Sequence, residues 1–143
     1  MHAKRFLLLL VPVALIIGVG CASSDTPSKA EYISQADAIC RDADKALNQK
    51  IQETFGAKPP TPEQINAFSA KEAIPNLEDQ LAALRALTPP EGDEETTTEI
   101  YDALEEGIAQ LKEDPTVEEA PAAFQVANKQ AREFGLVACG AGT

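Results

Sequence analysis

The sequence contains almost none of the residues on which small secreted enzymes usually depend. It has one histidine, one methionine and no tryptophan, and the first two stand at His2 and Met1. A chain that loses its first residues to processing keeps no histidine, so it cannot build a Ser-His-Asp or Cys-His catalytic site, or a histidine-ligated zinc or haem site. The same absence removes the usual protein pH switch.

Basic residues are also scarce. The chain carries 12 lysines and arginines against 23 aspartates and glutamates, which gives a formal net charge of −11. Such a surface repels the phosphates of nucleic acids and the headgroups of anionic lipids. We therefore expect no nucleic-acid partner and no membrane binding through the protein surface itself.

The beginning of the chain has the layout of a secretory signal peptide. Lys4 and Arg5 precede an apolar run over positions 6–20, and Cys21 follows directly. This layout resembles the signal of bacterial lipoproteins, in which the cysteine becomes the first mature residue and is lipidated. We expect a cleaved signal peptide over residues 1–20 and lipidation at Cys21. The match departs from the family's pattern at Gly18, three residues before the cysteine, where an aliphatic residue is usual.

Two alternatives remain for this segment. An ordinary signal peptide cut nearby would leave Cys21 free or remove it, and an uncleaved anchor would stay in the membrane. The anchor is disfavoured because the apolar run is shorter than the roughly 20 residues that a spanning helix needs. The lipoprotein interpretation places the protein at the extracytoplasmic face of the cell membrane, held through the Cys21 lipid only, with residues 21–28 as a tether.

The first of four segments with helical periodicity begins at a capping box formed by Ser28 and Glu31. It extends to about Thr54, where Gly56 and two prolines end it. Residues spaced by three and four form its expected buried stripe: Ile33, Ala36, Cys40, Ala43 and Leu47. Polar residues are expected off that stripe: Asp37, Arg41, Asp42 and Lys45.

The second segment begins at Thr61, whose side chain starts another capping box with Gln64, and runs to about Leu87. Pro75 in its middle predicts a kink or a break near Ile74.

The third segment runs from about Glu94, with Asp93 as its cap, to Glu113. The fourth begins after Pro115 and ends at Gly135, a C-cap candidate. No run of β-branched residues indicates a strand, so we expect an all-α fold.

These segments predict a single domain over residues 29–143, folded as an antiparallel four-helix bundle and closed by one disulfide. Cys40 and Cys139 are the two cysteines that remain once Cys21 carries the lipid. In an exported chain, an even pair most simply forms a disulfide because the compartment is oxidising.

Two short motifs carry a family resemblance. Residues 36–40 read Ala-Asp-Ala-Ile-Cys, and residues 135–139 read Gly-Leu-Val-Ala-Cys. They resemble the A-D-x-I-C opening and the G-L-x-x-C ending of small secreted lipoproteins of high-GC Gram-positive bacteria. Leu84 to Pro90 loosely matches that family's L-x-x-L-x-P-P segment. The resemblance implies a helical fold and the Cys40–Cys139 disulfide, but it implies no activity.

The third segment carries four acidic residues on one helical face: Glu95, Glu99, Asp102 and Glu106. A divalent cation or a basic partner would suit such a face, but Ca²⁺ prefers oxygens that converge from a flexible loop. Runs of like charge usually form a solvated face instead. We keep these residues as a candidate acidic binding face and predict no metal ligand and no cofactor. The oxygen-rich stretch 92–98 is better explained by helix capping than by calcium binding.

Tyr32 and Tyr101 are the aromatic residues expected to be partly exposed. They would either line a groove between the first and third segments or lie at the rim with their hydroxyls in water.

The tether, the expected disulfide-closed helical scaffold and the missing histidines together favour a non-enzymatic module. We expect it to bind a protein or small ligand of the cell envelope, with no catalytic residue. The alternative is a small cell-envelope hydrolase that uses carboxylates or a cation on the acidic face. Too few aromatics are present for a sugar-binding cleft, which weighs against that alternative.

Overall fold

The computed structural model describes residues 26–115 and 124–141, and within them the chain forms helices and turns without a strand. The helices are α1 (Lys29–Phe55), α2 (Pro62–Phe68), α3 (Ile74–Arg85), α4 (Glu94–Glu113) and α5 (Gln125–Phe134). A π-helical turn, Ser69–Ala73, joins α2 to α3, so the five helices form four helical segments. The predicted all-α class is confirmed. The predicted signal peptide and Cys21 lie outside the described residues.

The helix ends follow the local signals in the sequence. At Ser28, the hydroxyl accepts from the Glu31 N–H at 3.3 Å, and the Glu31 carboxylate accepts from the Ser28 N–H at 2.9 Å. Thr61 and Gln64 form the same reciprocal pair at the start of α2. These caps need only neighbouring residues, which is why the pattern alone predicts them.

Pro75 is accommodated without a break in the helix. Proline has no N–H to donate, and in a regular helix its ring collides with the carbonyl four residues earlier, here that of Lys71. The π-helical turn over Ser69–Ala73 lies immediately before α3 and contains that carbonyl. The wider turn lets the backbone continue from α2 into α3 past the proline.

The helices pack in chain order: α1 against α3, α3 against α4, and α4 against α5. The core between them is built from large apolar side chains, with Leu84 and Leu136 almost fully buried. The predicted disulfide between Cys40 and Cys139 is confirmed, with 5.2 Å between the two Cα atoms. None of the helices in the described part of the chain is long and apolar enough to cross a membrane.

Burial divides the described residues into two regions. Residues 41–73, which we call the arm, contain the C-terminal half of α1, the connection 56–61, α2 and the π-helical turn, and none of them is buried. The body consists of the other described residues and holds every buried one. Ala43 and Leu47, predicted on the buried stripe of α1, are only half-buried because they lie in the arm.

Candidate functional site

Asp37 is buried, so its predicted position off the buried stripe is wrong. Its side chain faces the C-terminal turn, where its carboxylate accepts three successive backbone N–H groups. The distances are 3.2 Å from Val137, 2.9 Å from Ala138 and 3.3 Å from Cys139. Burial is tolerated because these donors satisfy the carboxylate oxygens.

The turn that Asp37 binds follows directly from the end of α5. Gly135 has φ +111°, and the N–H groups of Gly135 and Leu136 donate to the carbonyls of Arg132 and Ala131. This is a Schellman motif, and the buried Leu136 supplies its apolar contact. The Gly140 N–H then donates to the Leu136 carbonyl, which closes one helical turn over residues 136–140.

Gly140 is needed at the end of this turn because Arg132 packs against its backbone. A Cβ at position 140 would lie 2.5 Å from Arg132 Cγ and 2.9 Å from the Leu136 carbonyl oxygen. The Arg132 guanidinium also donates to the Gly140 carbonyl. We call the assembly of Asp37, Cys40 and the turn 136–140 the clasp.

The clasp brings the two sequence motifs, residues 36–40 and 135–139, into contact with each other. The aspartate and cysteine of the first motif stand three residues apart on α1 and therefore share a face. Both reach the same turn, the cysteine through its sulfur and the aspartate through the turn's N–H groups. The i, i+3 spacing to a buried cysteine was the signal that could have revealed Asp37.

Tyr32 and Tyr101 are buried and not at a rim, so the prediction of partial exposure is wrong. Their hydroxyls hydrogen-bond to each other across α1 and α4. The Phe134 ring meets Tyr32 edge-on, with centroids 6.1 Å apart. Because each hydroxyl has a partner, the pair can lie in the core. Burial raises the pKa of Tyr32 and, more strongly, that of Tyr101.

Asp93 occupies the N-cap position of α4 as predicted, but its side chain makes no capping hydrogen bond. It forms an ion pair with Lys29 at 3.3 Å, and the Lys29 ammonium also lies 3.9 Å from the centre of the Phe134 ring. The start of α1 is thereby joined to the start of α4 and to the end of α5.

The acidic residues of α4 remain exposed and do not converge. Glu95, Glu99, Asp102 and Glu106 are all at the surface. Arg85 of α3 binds Asp102 at 2.8 Å and Glu105 at 2.7 Å, and the hydrogen bond that its guanidinium donates to the Asp102 carboxylate raises the pKa of Arg85. Across residues 26–115 and 124–141, no three potential metal ligands form a group that could hold a metal ion.

A shallow groove opens on the arm, where the end of α1 meets α2. The rings of Phe55 and Phe68 form its apolar part, with centroids 5.2 Å apart. Its volume is 230 Å³, and its lining consists of Thr54, Phe55, Gln64, Ala67, Phe68, Lys71 and Glu72. Pockets for small ligands usually measure about 300–1,000 Å³, so this groove suits a single side chain better than a whole metabolite.

The arm and the body differ in net charge as clearly as they differ in burial. The arm carries five basic and five acidic residues, whereas the described body carries five basic and 15 acidic ones. Four basic side chains of the described residues have neither an ion pair nor a hydrogen bond, and all four lie on the arm: Arg41, Lys45, Lys58 and Lys71. Within the described residues, the arm is therefore the region that repels an anionic group least.

The chain matches no protein-family model, no curated protein and no solved structure.

Proposed function

We propose that this protein is a lipid-anchored, extracytoplasmic binding module without enzymatic activity, and that the arm is the surface it presents to a protein partner. The anchor is supported by the layout of residues 1–21, where a basic start and an apolar run lead to Cys21. The motifs around Asp37 and the C-terminal turn support kinship with the small lipoproteins of high-GC Gram-positive bacteria.

The proposed arrangement of the body is an antiparallel four-helix bundle. Two ion pairs support it: Lys112 near the end of α4 binds Glu78 near the start of α3, and Arg85 at the end of α3 binds Asp102 of α4. Asn76 near the start of α3 donates to the Ala43 carbonyl of α1, on the arm side of Cys40. These contacts fit the proposed arrangement, in which successive helices run in opposite directions.

The observation that carries the binding role is the groove on the arm, an apolar recess beside Lys71 with no core residue in the surrounding segment. Its size fits one apolar side chain, and the free ammonium of Lys71 fits a carboxylate next to that side chain. We infer a partner segment that combines an aliphatic or aromatic residue with an acidic one.

The anchor is tested by replacing Cys21 with serine in cells that export the protein. We expect the variant to leave the membrane fraction and enter the medium. Retention in the membrane equal to that of the natural chain would contradict lipidation at Cys21.

The binding surface is tested by placing the photo-crosslinking residue p-benzoylphenylalanine at exposed Ala67 in the groove, with exposed Ala109 of α4 as the matched control position. We expect protein adducts at position 67 and not at position 109, and fewer adducts when Lys71→Glu is added. Mass spectrometry of the adduct should show acidic residues in the attached peptide. Equal adducts at both positions, or adducts with lipid alone, would refute this surface.

A further inference from the structure

The clasp joins residues that are about 100 positions apart by two independent means, a covalent bond and a set of hydrogen bonds. The disulfide links Cys40 to Cys139 across a sequence separation of 99. The Asp37 carboxylate binds the N–H groups of residues 137–139, including that of Cys139 itself. The hydrogen bonds involve only backbone N–H groups and the carboxylate, so they do not need the sulfur–sulfur bond in order to form.

We propose that Asp37 is a positioning residue for the formation of this disulfide. Its carboxylate captures the N–H groups of the C-terminal turn while both cysteines are still thiols, and this places the Cys139 sulfur beside Cys40. In the oxidation, the two thiols lose two protons and two electrons and one sulfur–sulfur bond forms. A disulfide oxidant, glutathione disulfide in the test below, takes up the electrons and is reduced to two thiols.

The long separation of the two cysteines explains why a positioning residue would favour disulfide formation. Closing a loop of this length costs chain entropy, and the two thiols of a flexible chain rarely meet. The Schellman motif at Gly135 and the helical turn after it present the N–H groups of residues 137–139 in one direction, and the backbone hydrogen bonds that form them do not involve the sulfur–sulfur bond. The Ala36 carbonyl oxygen lies 3.4 Å from Cys139 Sγ, so the captured turn seats that sulfur directly against α1.

The charge of Asp37 matters because a carboxylate accepts hydrogen bonds more strongly than a neutral oxygen does. Asp37→Asn keeps one side-chain oxygen that can accept, whereas Asp37→Ala keeps none. Asp37→Ala should therefore impair disulfide formation more than Asp37→Asn does. Asp42 lies exposed on the same helix without a partner, so Asp42→Asn is a control that removes the same charge.

The experiment uses the exported chain with Cys21→Ser, so that only Cys40 and Cys139 can react. The protein is equilibrated with reduced and oxidised glutathione, and the fraction with the protein disulfide gives the effective concentration of the two thiols. We expect Asp37→Ala to lower this effective concentration by about tenfold or more, since hydrogen bonds to charged groups are the strong ones. Asp37→Asn should lower it less, and Asp42→Asn should leave it within about twofold.

A second measurement separates positioning from a general loss of stability. In the chain with Cys21→Ser, Cys40→Ser and Cys139→Ser, no disulfide can form, and amide hydrogen exchange reports on the turn alone. We expect the amides of residues 137–139 to be protected when Asp37 is present, less protected in Asp37→Asn and unprotected in Asp37→Ala, while amides within α4 stay protected in all three. The proposal is overturned if these turn amides exchange freely with Asp37 in place, or if Asp37→Asn and Asp37→Ala leave the effective concentration unchanged.

Discussion

The arm and the body are built from the same kinds of helix, yet they differ in what holds them in place. The body buries a core, a hydrogen-bonded tyrosine pair and a clasp that closes over 99 positions of sequence. The arm buries no residue, and its aromatic contact is the half-exposed pair Phe55 and Phe68. One long helix, α1, therefore serves two purposes. Its first half contributes side chains to the core, and its second half forms part of the solvent-exposed arm.

The physical cause of the difference is helix length. Lys112, one residue before the end of α4, pairs with Glu78 near the start of α3. The α4 helix therefore ends beside α3, and among the described elements it does not pack against α2. Apolar residues of the arm, such as Phe55 and Phe68, stay half-buried, which leaves an apolar groove open on its surface.

The largest expected effect is on the body and comes from removing the disulfide. The double variant Cys40→Ala and Cys139→Ala should lose about 2–5 kcal/mol of unfolding free energy, the usual cost for a small secreted domain. Urea denaturation followed by circular dichroism measures it. A loss below about 1 kcal/mol would mean that the clasp hydrogen bonds hold the body without the covalent bond.

Truncating one apolar residue in each region tests the comparison directly. Leu84→Ala empties a fully buried site and should cost about 2–5 kcal/mol. Phe68→Ala removes a larger side chain, but from the half-exposed arm, and should cost about 1 kcal/mol of global stability. If Phe68→Ala proved the more damaging of the two, the arm would be part of the cooperative core and the division would fail.

What the sequence predicted depended on how far apart the interacting residues lie. Both capping boxes and the Gly135 C-cap follow from neighbours within a few positions, and the disulfide follows from the two cysteines that remain once Cys21 is assigned to the lipid. The burial of Asp37 and Tyr32 depends on partners 69 to 102 positions away. The i, i+3 spacing to Cys40 places Asp37 on a buried face, but helical periodicity does not identify those distant partners. Periodicity likewise marks the apolar face of α2 at Ile65 and Phe68, but it cannot show whether another helix covers that face.

The tyrosine pair makes the body sensitive to alkaline pH. Burial raises the pKa of Tyr32 and Tyr101 above the ordinary value of 10, so the folded protein keeps protons that the unfolded chain releases. Their contribution to stability is complete below about pH 10 and falls as the pH rises above it. Urea midpoints measured at about pH 8 and pH 11 should show this loss.

The double variant Tyr32→Phe and Tyr101→Phe is the control for that measurement, because it keeps the rings and removes the titrating groups. Each single replacement should cost about 1 kcal/mol at neutral pH, the usual contribution of a hydrogen bond. The double variant should lose less stability between pH 8 and pH 11 than the natural chain. An equal loss would assign the alkaline sensitivity to the lysine ion pairs instead.

The two capping boxes offer the finest test, since the same motif occurs once in each region. Ser28→Ala removes the cap of α1 beside the core, and Thr61→Ala removes the cap of α2 on the arm. An N-cap replacement costs about 0.5–2 kcal/mol when the helix is part of the cooperative unit. We expect Ser28→Ala to lower the global unfolding free energy by about 1 kcal/mol, because the start of α1 carries Tyr32 and Ala36 into the core. Thr61→Ala should lower the global value less, while hydrogen exchange of the α2 amides becomes faster, because a local opening of the arm leaves the body intact. Equal global losses from the two variants would show that the arm unfolds together with the body.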